Sequence, residues 1–133
     1  MTTDKELLEL AAKVAGVRYD AEASKPHPKS GAWFGLWLVF DDEPSEYARR
    51  YWNPLTDDGD ALRLVLTLGL CIEPSPLYSP EKHSVIVKQR RRSDLLREAN
   101  PTEVVEVFGT DATAATRRAI VRAAAAVGKT PNV

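Results

Sequence analysis

The side chains best suited to chemistry in this sequence are arginines and aromatic residues that stand together near the middle of the chain. Aromatic rings stack on nucleobases, guanidinium groups pair with phosphates, and the N-terminus of a following helix adds amide donors. The stretch therefore predicts a pocket that binds a nucleotide or a nucleic acid. The alternative is that Tyr51 and Trp52 only anchor this loop on the core and staple the next helix. The residues concerned are Tyr47, Arg49, Arg50, Tyr51, Trp52 and Asn53.

A basic arm is the second candidate for ligand binding. It follows a β-rich segment and leads into a long, charged hairpin connection. If it lies beside Arg117, Arg118 and Arg122 of the last predicted helix, the two groups form a surface that grips phosphates. The alternative is a solvated hairpin, because acidic residues interleave with the arm and neutralise it. The arm consists of Lys88, Arg90, Arg91, Arg92 and Arg97.

Three aspartates, Asp57, Asp58 and Asp60, open a predicted helix and suggest a metal site. A calcium-binding loop of the EF type would need a glutamate at its twelfth position, and Leu68 stands there. A looser Mg²⁺ site would make the protein a metal-dependent hydrolase, which is the weaker alternative. Helix capping explains the same carboxylates, since acids are stabilised at the positive end of the helix dipole.

Nucleophilic catalysis finds little support in the sequence. His27 lies in a proline-rich loop, His83 heads a strand, and Cys71 stands between apolar neighbours with no histidine beside it. A reactive thiol or hydroxyl needs such a base within reach. We therefore expect a binding protein, without catalytic residues, metal ligands or a cofactor.

Composition indicates one globular domain in a chain of 133 residues, which we place at 1–128, with a frayed tail at 129–133. The net charge of −1 creates no long-range field for nucleic acid or anionic membrane, so charge-based binding would need a local patch. The single cysteine, the polar N-terminus and the lack of a long apolar run predict a cytoplasmic protein with no membrane partner.

The predicted elements alternate between helices and strands. Helices are expected from Thr3, as a capping residue, to Gly16 and from 110 to 127 with Gly128 as the cap. The central helix is expected to be capped by Thr56 or Asp57 and to end at Gly69. The central helix carries apolar side chains around most of its circumference. We therefore expect it to be buried and to be the element around which the core forms. Its one polar line, formed by Asp60, Arg63 and Thr67, would fit a contact in an oligomer. The strands are expected at 32–40, 45–51, 70–73, 84–89 and 102–108. The strand at 32–40 is apolar on both faces, so we expect it to be covered on both sides.

Two segments together resemble the phage ABA-sandwich domain family, a group of small bacteriophage and prophage proteins. They are the run Trp52-Asn53-Pro54-Leu55-Thr56-Asp57, where Leu55 replaces the serine of the usual pattern, and the alanine-rich helix at 114–124. The resemblance implies a three-layer α/β/α sandwich and a phage or prophage origin, and it leaves the biochemical role open. Together with the element order read from the residues, α-β-(β)-α-β-β-β-α, it predicts an α/β (α+β) fold with a mostly antiparallel sheet. Our first functional hypothesis is a non-enzymatic accessory protein in the host bacterial cell that binds a host or phage macromolecule.

Overall fold

The computed structural model of the protein describes residues 3–39, 50–75, 83–89 and 100–129. These parts of the chain form helices and short strands in mixed order, which confirms the predicted α+β class. No helix in them is both long enough and apolar enough to cross a membrane. The elements are α1 Asp4–Ala15, β1 Tyr19–Asp20, β2 Leu36–Leu38, β3 Tyr51–Trp52, α2 Asp58–Leu68, β4 Leu70–Ser75, β5 Ser84–Gln89, β6 Val104–Val107 and α3 Ala112–Lys129.

The strands lie in two antiparallel sheets of three strands each, whereas one sheet was expected. The first sheet has the order β1-β2-β3, and the second has the order β4-β5-β6. The hairpin predicted at 84–89 and 102–108 is confirmed, since β5 pairs with β6 from Ser84↔Val107 to Val87↔Val104. The three-layer arrangement and the domain limits at 1–128 stay predictions.

The core lies where α1 and α3 pack on each other and where α3 covers the second sheet. Small side chains make this close approach possible, because Ala11 and Ala12 of α1 and Ala123 and Ala124 of α3 are all fully buried. The predicted start of α1 is confirmed, since the Thr3 hydroxyl accepts a hydrogen bond from the Glu6 amide at 3.2 Å. The predicted cap at Gly128 is wrong, because α3 continues through Lys129; residues 130–133 lie outside the described residues.

The central helix α2 is less buried than its composition suggested. Ala61 and Leu64 are buried, whereas Leu62 is 57% exposed and Leu66 is 74% exposed. Its ends are as predicted, with Asp57 as the N-cap and Gly69 as the left-handed C-cap. The expectation that α2 organises the core is therefore wrong: α2 packs along one side of α3.

The strand predicted at 32–40 is reduced to the three residues of β2. Gly35, with φ of 125°, breaks the run just before β2, and Phe34 is 63% exposed instead of covered. Residues 40–49, which include most of the strand expected at 45–51, lie outside the described residues. The end of that strand is present as β3, which pairs with β2 through Leu36↔Trp52 and Trp37↔Tyr51.

Strand β1 is not apparent from the sequence, where the pattern dissolves after Val17. It forms because Tyr19 and Asp20 pair with Leu38 and Trp37 of β2. The following loop is held to the sheet by Ser24, which is buried: its hydroxyl accepts from the Trp37 amide at 2.8 Å. The loop predicted across 25–31 is as expected.

Candidate anion-binding site

The turn that begins the site is built around Asn53. Its carbonyl oxygen accepts from the amides of Thr56 at 3.1 Å and Asp57 at 2.9 Å. Its side-chain oxygen accepts from the Leu55 amide at 3.1 Å, which leaves Pro54 buried inside the turn. Asn53 is therefore fully engaged in shaping the entry to α2, and we assign it a structural role.

Asp60 lies behind this turn and is 1% exposed. Oδ1 accepts a hydrogen bond from Nη1 of Arg63 at 3.2 Å and lies 2.9 Å from Nη1 of Arg50. Oδ2 accepts from Nη1 of Arg50 at 3.2 Å and from the Asn53 amide at 3.0 Å. A buried carboxylate is tolerated only with such partners, so Asp60 ties β3, the turn and α2 together.

The three aspartates of α2 do not converge on a metal. Asp57 caps the helix by accepting from the Asp60 amide at 2.8 Å, and Asp58 pairs with Arg117 at 2.7 Å. Asp60 points inward to its arginines. Among the described residues no group of three or more histidine, cysteine or acidic side chains is placed to hold a metal ion. Asp60 is buried, so the line of Asp60, Arg63 and Thr67 does not form the polar surface that was expected along α2.

A groove of about 460 Å³ opens between the end of α1, the inner face of the first sheet and α2. We call it the arginine groove. Its apolar walls come from Val17, Leu38, Trp52 and Leu64, and three arginines line it: Arg18, Arg50 and Arg63. Its volume is within the range of small-molecule sites, which is about 300–1,000 Å³.

In the part of the chain that the structure describes, Arg50, Arg63 and Asp60 do not balance in charge. Arg50 and Arg63 share the single carboxylate of Asp60, so these three groups together carry one excess positive charge. Their side chains remain 42% and 65% exposed, which leaves donors available to a bound group. No carboxylate is among the described residues that line the groove. By contrast, a hollow along α1 is lined by Glu6, Glu9 and Lys13, which have mixed charge.

Tyr51 and Trp52 point to opposite faces of the first sheet. Trp52 is 3% exposed and forms part of the groove wall, as the anchoring interpretation requires. Tyr51 is 39% exposed on the outer face, where its ring meets those of Trp37 and Phe34. Of the predicted ligand-binding stretch, Arg50 and Trp52 therefore line the groove, whereas Tyr51 lies on the outer face. Arg49 and Tyr47 lie outside the described residues.

Of the basic arm, only Lys88 lies within the described residues. Arg90, Arg91, Arg92 and Arg97 lie outside the described residues. Lys88 alternates with the buried Val87 along β5 and so points away from the face that α3 covers. The described residues therefore do not bring Lys88 to the arginines of α3.

The arginines of α3 are paired with acids. Arg117 binds Asp58 and also donates to the Leu55 carbonyl at 2.8 Å. Arg118 donates to Asp4 at 3.2 Å, and Arg122 donates to Glu106. These pairs join α3 to its neighbours, which favours the neutralised alternative for this part of the surface.

The histidines and the cysteine have no catalytic setting in the described parts of the chain. Nδ1 of His27 accepts from the amides of Lys29 and Ser30 and so shapes its own loop. The carbonyl of His83 accepts from the Phe108 amide at 2.9 Å at the start of β5. The Cys71 thiol lies 3.7 Å from a carboxylate oxygen of Glu73, with no base beside it.

Sequence reasoning missed Arg18 and Arg63 as groove residues, and Phe34 and Trp37 as neighbours of Tyr51. Arg63 is three residues after Asp60 on α2, a spacing that brings side chains together and could have signalled the pair. Arg18 reaches the groove only because β1 pairs with β2, which no local pattern in the sequence indicates.

Comparisons of this chain with protein-family models, with curated proteins and with solved structures find no match.

Proposed function

We propose that this protein works by binding rather than by catalysis, and that its ligand is a nucleotide or a nucleic acid whose phosphate enters the arginine groove. The observation that carries the proposal is the sharing of one buried carboxylate, Asp60, by two partly exposed arginines. The pair keeps an excess positive charge beside apolar walls.

The geometry favours phosphate for two reasons. Guanidinium groups present several donors in one plane and match the oxygens of a phosphate. Asp60 also holds Arg50 and Arg63 in place before a ligand arrives, so less side-chain entropy is lost on binding. The more exposed apolar side chains of the wall, those of Val17, Leu38 and Val39, offer contact to the uncharged part of the ligand.

The test is calorimetric titration of the protein with ADP, with adenosine as the uncharged comparison. We expect ADP to bind and adenosine to bind more weakly, and we expect Arg63→Gln to lower ADP affinity by about ten-fold, in line with the loss of one charge-assisted contact. Arg118→Gln is the matched control, because this exposed arginine pairs with Asp4 away from the groove. Equal affinity of all three proteins for ADP, or no heat from any of them, would contradict the proposal.

The resemblance supports a second candidate, an accessory protein of a phage or prophage that acts in the host cytoplasm on a host or phage protein. Exposed Leu62 and Leu66, one turn apart on α2, favour a protein partner, since large apolar side chains are often covered in complexes. The measurement is capture of partners from bacterial lysate by the protein and by Leu62→Lys/Leu66→Lys. A partner retained by the first and lost by the second supports this role, and identical capture counts against it.

A further inference from the structure

Three aromatic side chains form a cluster on the outer face of the first sheet. The rings of Trp37 and Tyr51 meet edge-on with centroids 4.9 Å apart, and Phe34 lies 5.8 Å from Tyr51. We call Phe34, Trp37 and Tyr51 the aromatic platform. Phe34 is 63% exposed and Tyr51 39% exposed, so two of the rings offer surface to a ligand. Large aromatic rings are usually buried in a folded protein, so this exposed ring surface is unusual.

The platform is held in place from behind. A side chain on Gly35 would meet the Trp52 carbonyl oxygen at 2.5 Å, so only glycine lets the segment before β2 lie this close to β3. Asn53 adds a hydrogen bond, its side-chain amide donating to the Phe34 carbonyl at 3.4 Å. Phe34 is therefore fixed beside Tyr51 although its ring is exposed.

The platform and the arginine groove lie on opposite faces of one edge strand. In the described sheet β3 is the outermost strand beside β2. Arg50 and Trp52 face the groove, and Tyr51 between them faces the platform. Nη1 of Arg50 is 3.4 Å from the Tyr51 carbonyl oxygen, so the two sites are separated by little more than the strand itself.

We propose that the aromatic platform stacks a base of single-stranded nucleic acid whose neighbouring phosphate lies in the arginine groove. This inference rests on the proposed function and names its ligand class. A flexible strand can cross the edge of β3 with its base on one face and its phosphate on the other. A duplex cannot, since its bases are already stacked on each other and paired.

Two charged residues in the described part of the first sheet agree with this path. Asp20, on β1, is the carboxylate opposite Trp37 on the same outer face, and it accepts from the amides of Glu22 and Ala23. It lies at the far edge of the sheet from β3, whereas Arg50 lies at the near edge. A phosphate chain therefore meets positive charge at β3 and is kept from the β1 side.

Fluorescence anisotropy tests the proposal with labelled oligothymidylate of about twelve nucleotides, a length within the usual range for such sites. We expect the single strand to bind more tightly than a duplex of equal length. Phe34→Ala should weaken single-strand binding about ten-fold, as loss of one stacked base predicts, and Phe34→Trp should retain it. Val107→Ala is the matched control, because Val107 is 58% exposed on the second sheet. Since Phe34 is mostly exposed, its variants are expected to fold, and urea unfolding checks this.

Pyrophosphate binding separates this inference from the proposed function. Phe34→Ala should bind pyrophosphate as the unaltered protein does, whereas Arg63→Gln should lose affinity for both pyrophosphate and the oligonucleotide. If Phe34→Ala keeps full affinity for the oligonucleotide while Arg63→Gln loses it, the groove stands and the platform proposal is overturned. Tighter binding of the duplex also overturns it. If neither probe binds the unaltered protein, both proposals fail together.

Discussion

At the scale of single residues, Asp60 is the buried charge on which the candidate site depends. Asp60→Ala removes the acceptor of the Asn53 amide and the common partner of Arg50 and Arg63. We expect it to lower the free energy of unfolding by about 2–3 kcal/mol, below the cost for a fully buried pair because both guanidinium groups can return to water. Urea denaturation measures this.

Asp58→Ala is the control for Asp60→Ala, since it changes the same side chain in the same turn of α2. The Asp58 side chain is 77% exposed and pairs with Arg117 at the surface. Its loss should cost about 0.5 kcal/mol. If the two variants are equally stable, Asp60 is not the anchor described here.

Tyr19 gives the protein a pH dependence at the alkaline end. Burial, and after it the nearby Glu9 carboxylate, raises the pKa of the Tyr19 phenol above its usual 10.0. The folded state therefore holds this proton more tightly than the unfolded state does. The resulting stabilisation is fully present below pH about 10 and is lost as the pH rises through the folded-state pKa.

The test compares the unaltered protein with Tyr19→Phe, which has no phenol to ionise at this position. Above pH about 10 the midpoint of urea unfolding should fall more steeply for the unaltered protein than for Tyr19→Phe. Parallel curves for the two proteins would show that Tyr19 does not contribute.

At the scale of elements, the apolar residues of α2 are expected to differ in how much each contributes to the free energy of unfolding. Leu64 is 2% exposed and Leu66 is 74% exposed, although they are only two residues apart. Leu64→Ala should cost about 3 kcal/mol of unfolding free energy, since it leaves a cavity. Leu66→Ala should change it by less than about 0.5 kcal/mol. Similar losses from both variants would mean that a partner or a second copy covers Leu66.

The ends of α1 and α2 were predictable from the sequence, but the end of α3 and the buried face of α2 were not. Thr3 and Asp57 cap α1 and α2 because short oxygen-bearing side chains bond to amides three residues on, a purely local effect. Which side of α2 is covered depends on where α3 and the first sheet lie, and a helix that is apolar around all but one polar line leaves that open. The long strand expected at 32–40 failed because a backbone contact at Gly35 interrupts it.

The candidate site follows the same division. Arg50 and Trp52 were predicted as ligand-binding residues because they lie two positions apart and close to a helix N-terminus, and both line the groove. Arg18 and Leu38 could not be predicted as groove residues, because they line the groove only when β1 pairs with β2 across a long loop. Phe34 was expected to be covered as part of a two-sided strand, and it is exposed.

At the scale of the whole molecule, stability depends on the close packing of α1 and α3. Ala124 of α3 is 0% exposed. Ala124→Leu should therefore lower the free energy of unfolding by about 1–3 kcal/mol through overpacking. Ala112→Leu, on the exposed first turn of the same helix, should have almost no effect on the thermal midpoint. A neutral Ala124→Leu would show that the helices have room to separate.

The packing of α1 on α3 also determines when the core can form during synthesis of the chain. α1 is synthesised before α3, and α3, which packs on α1, begins more than ninety residues later at Ala112. At typical rates of synthesis, about 5–20 residues per second, the apolar face of α1 waits for several seconds without its partner. During that time α2, the first sheet and the strands of the second sheet are all made, so the nascent chain exposes the apolar face of α1 until α3 has been synthesised.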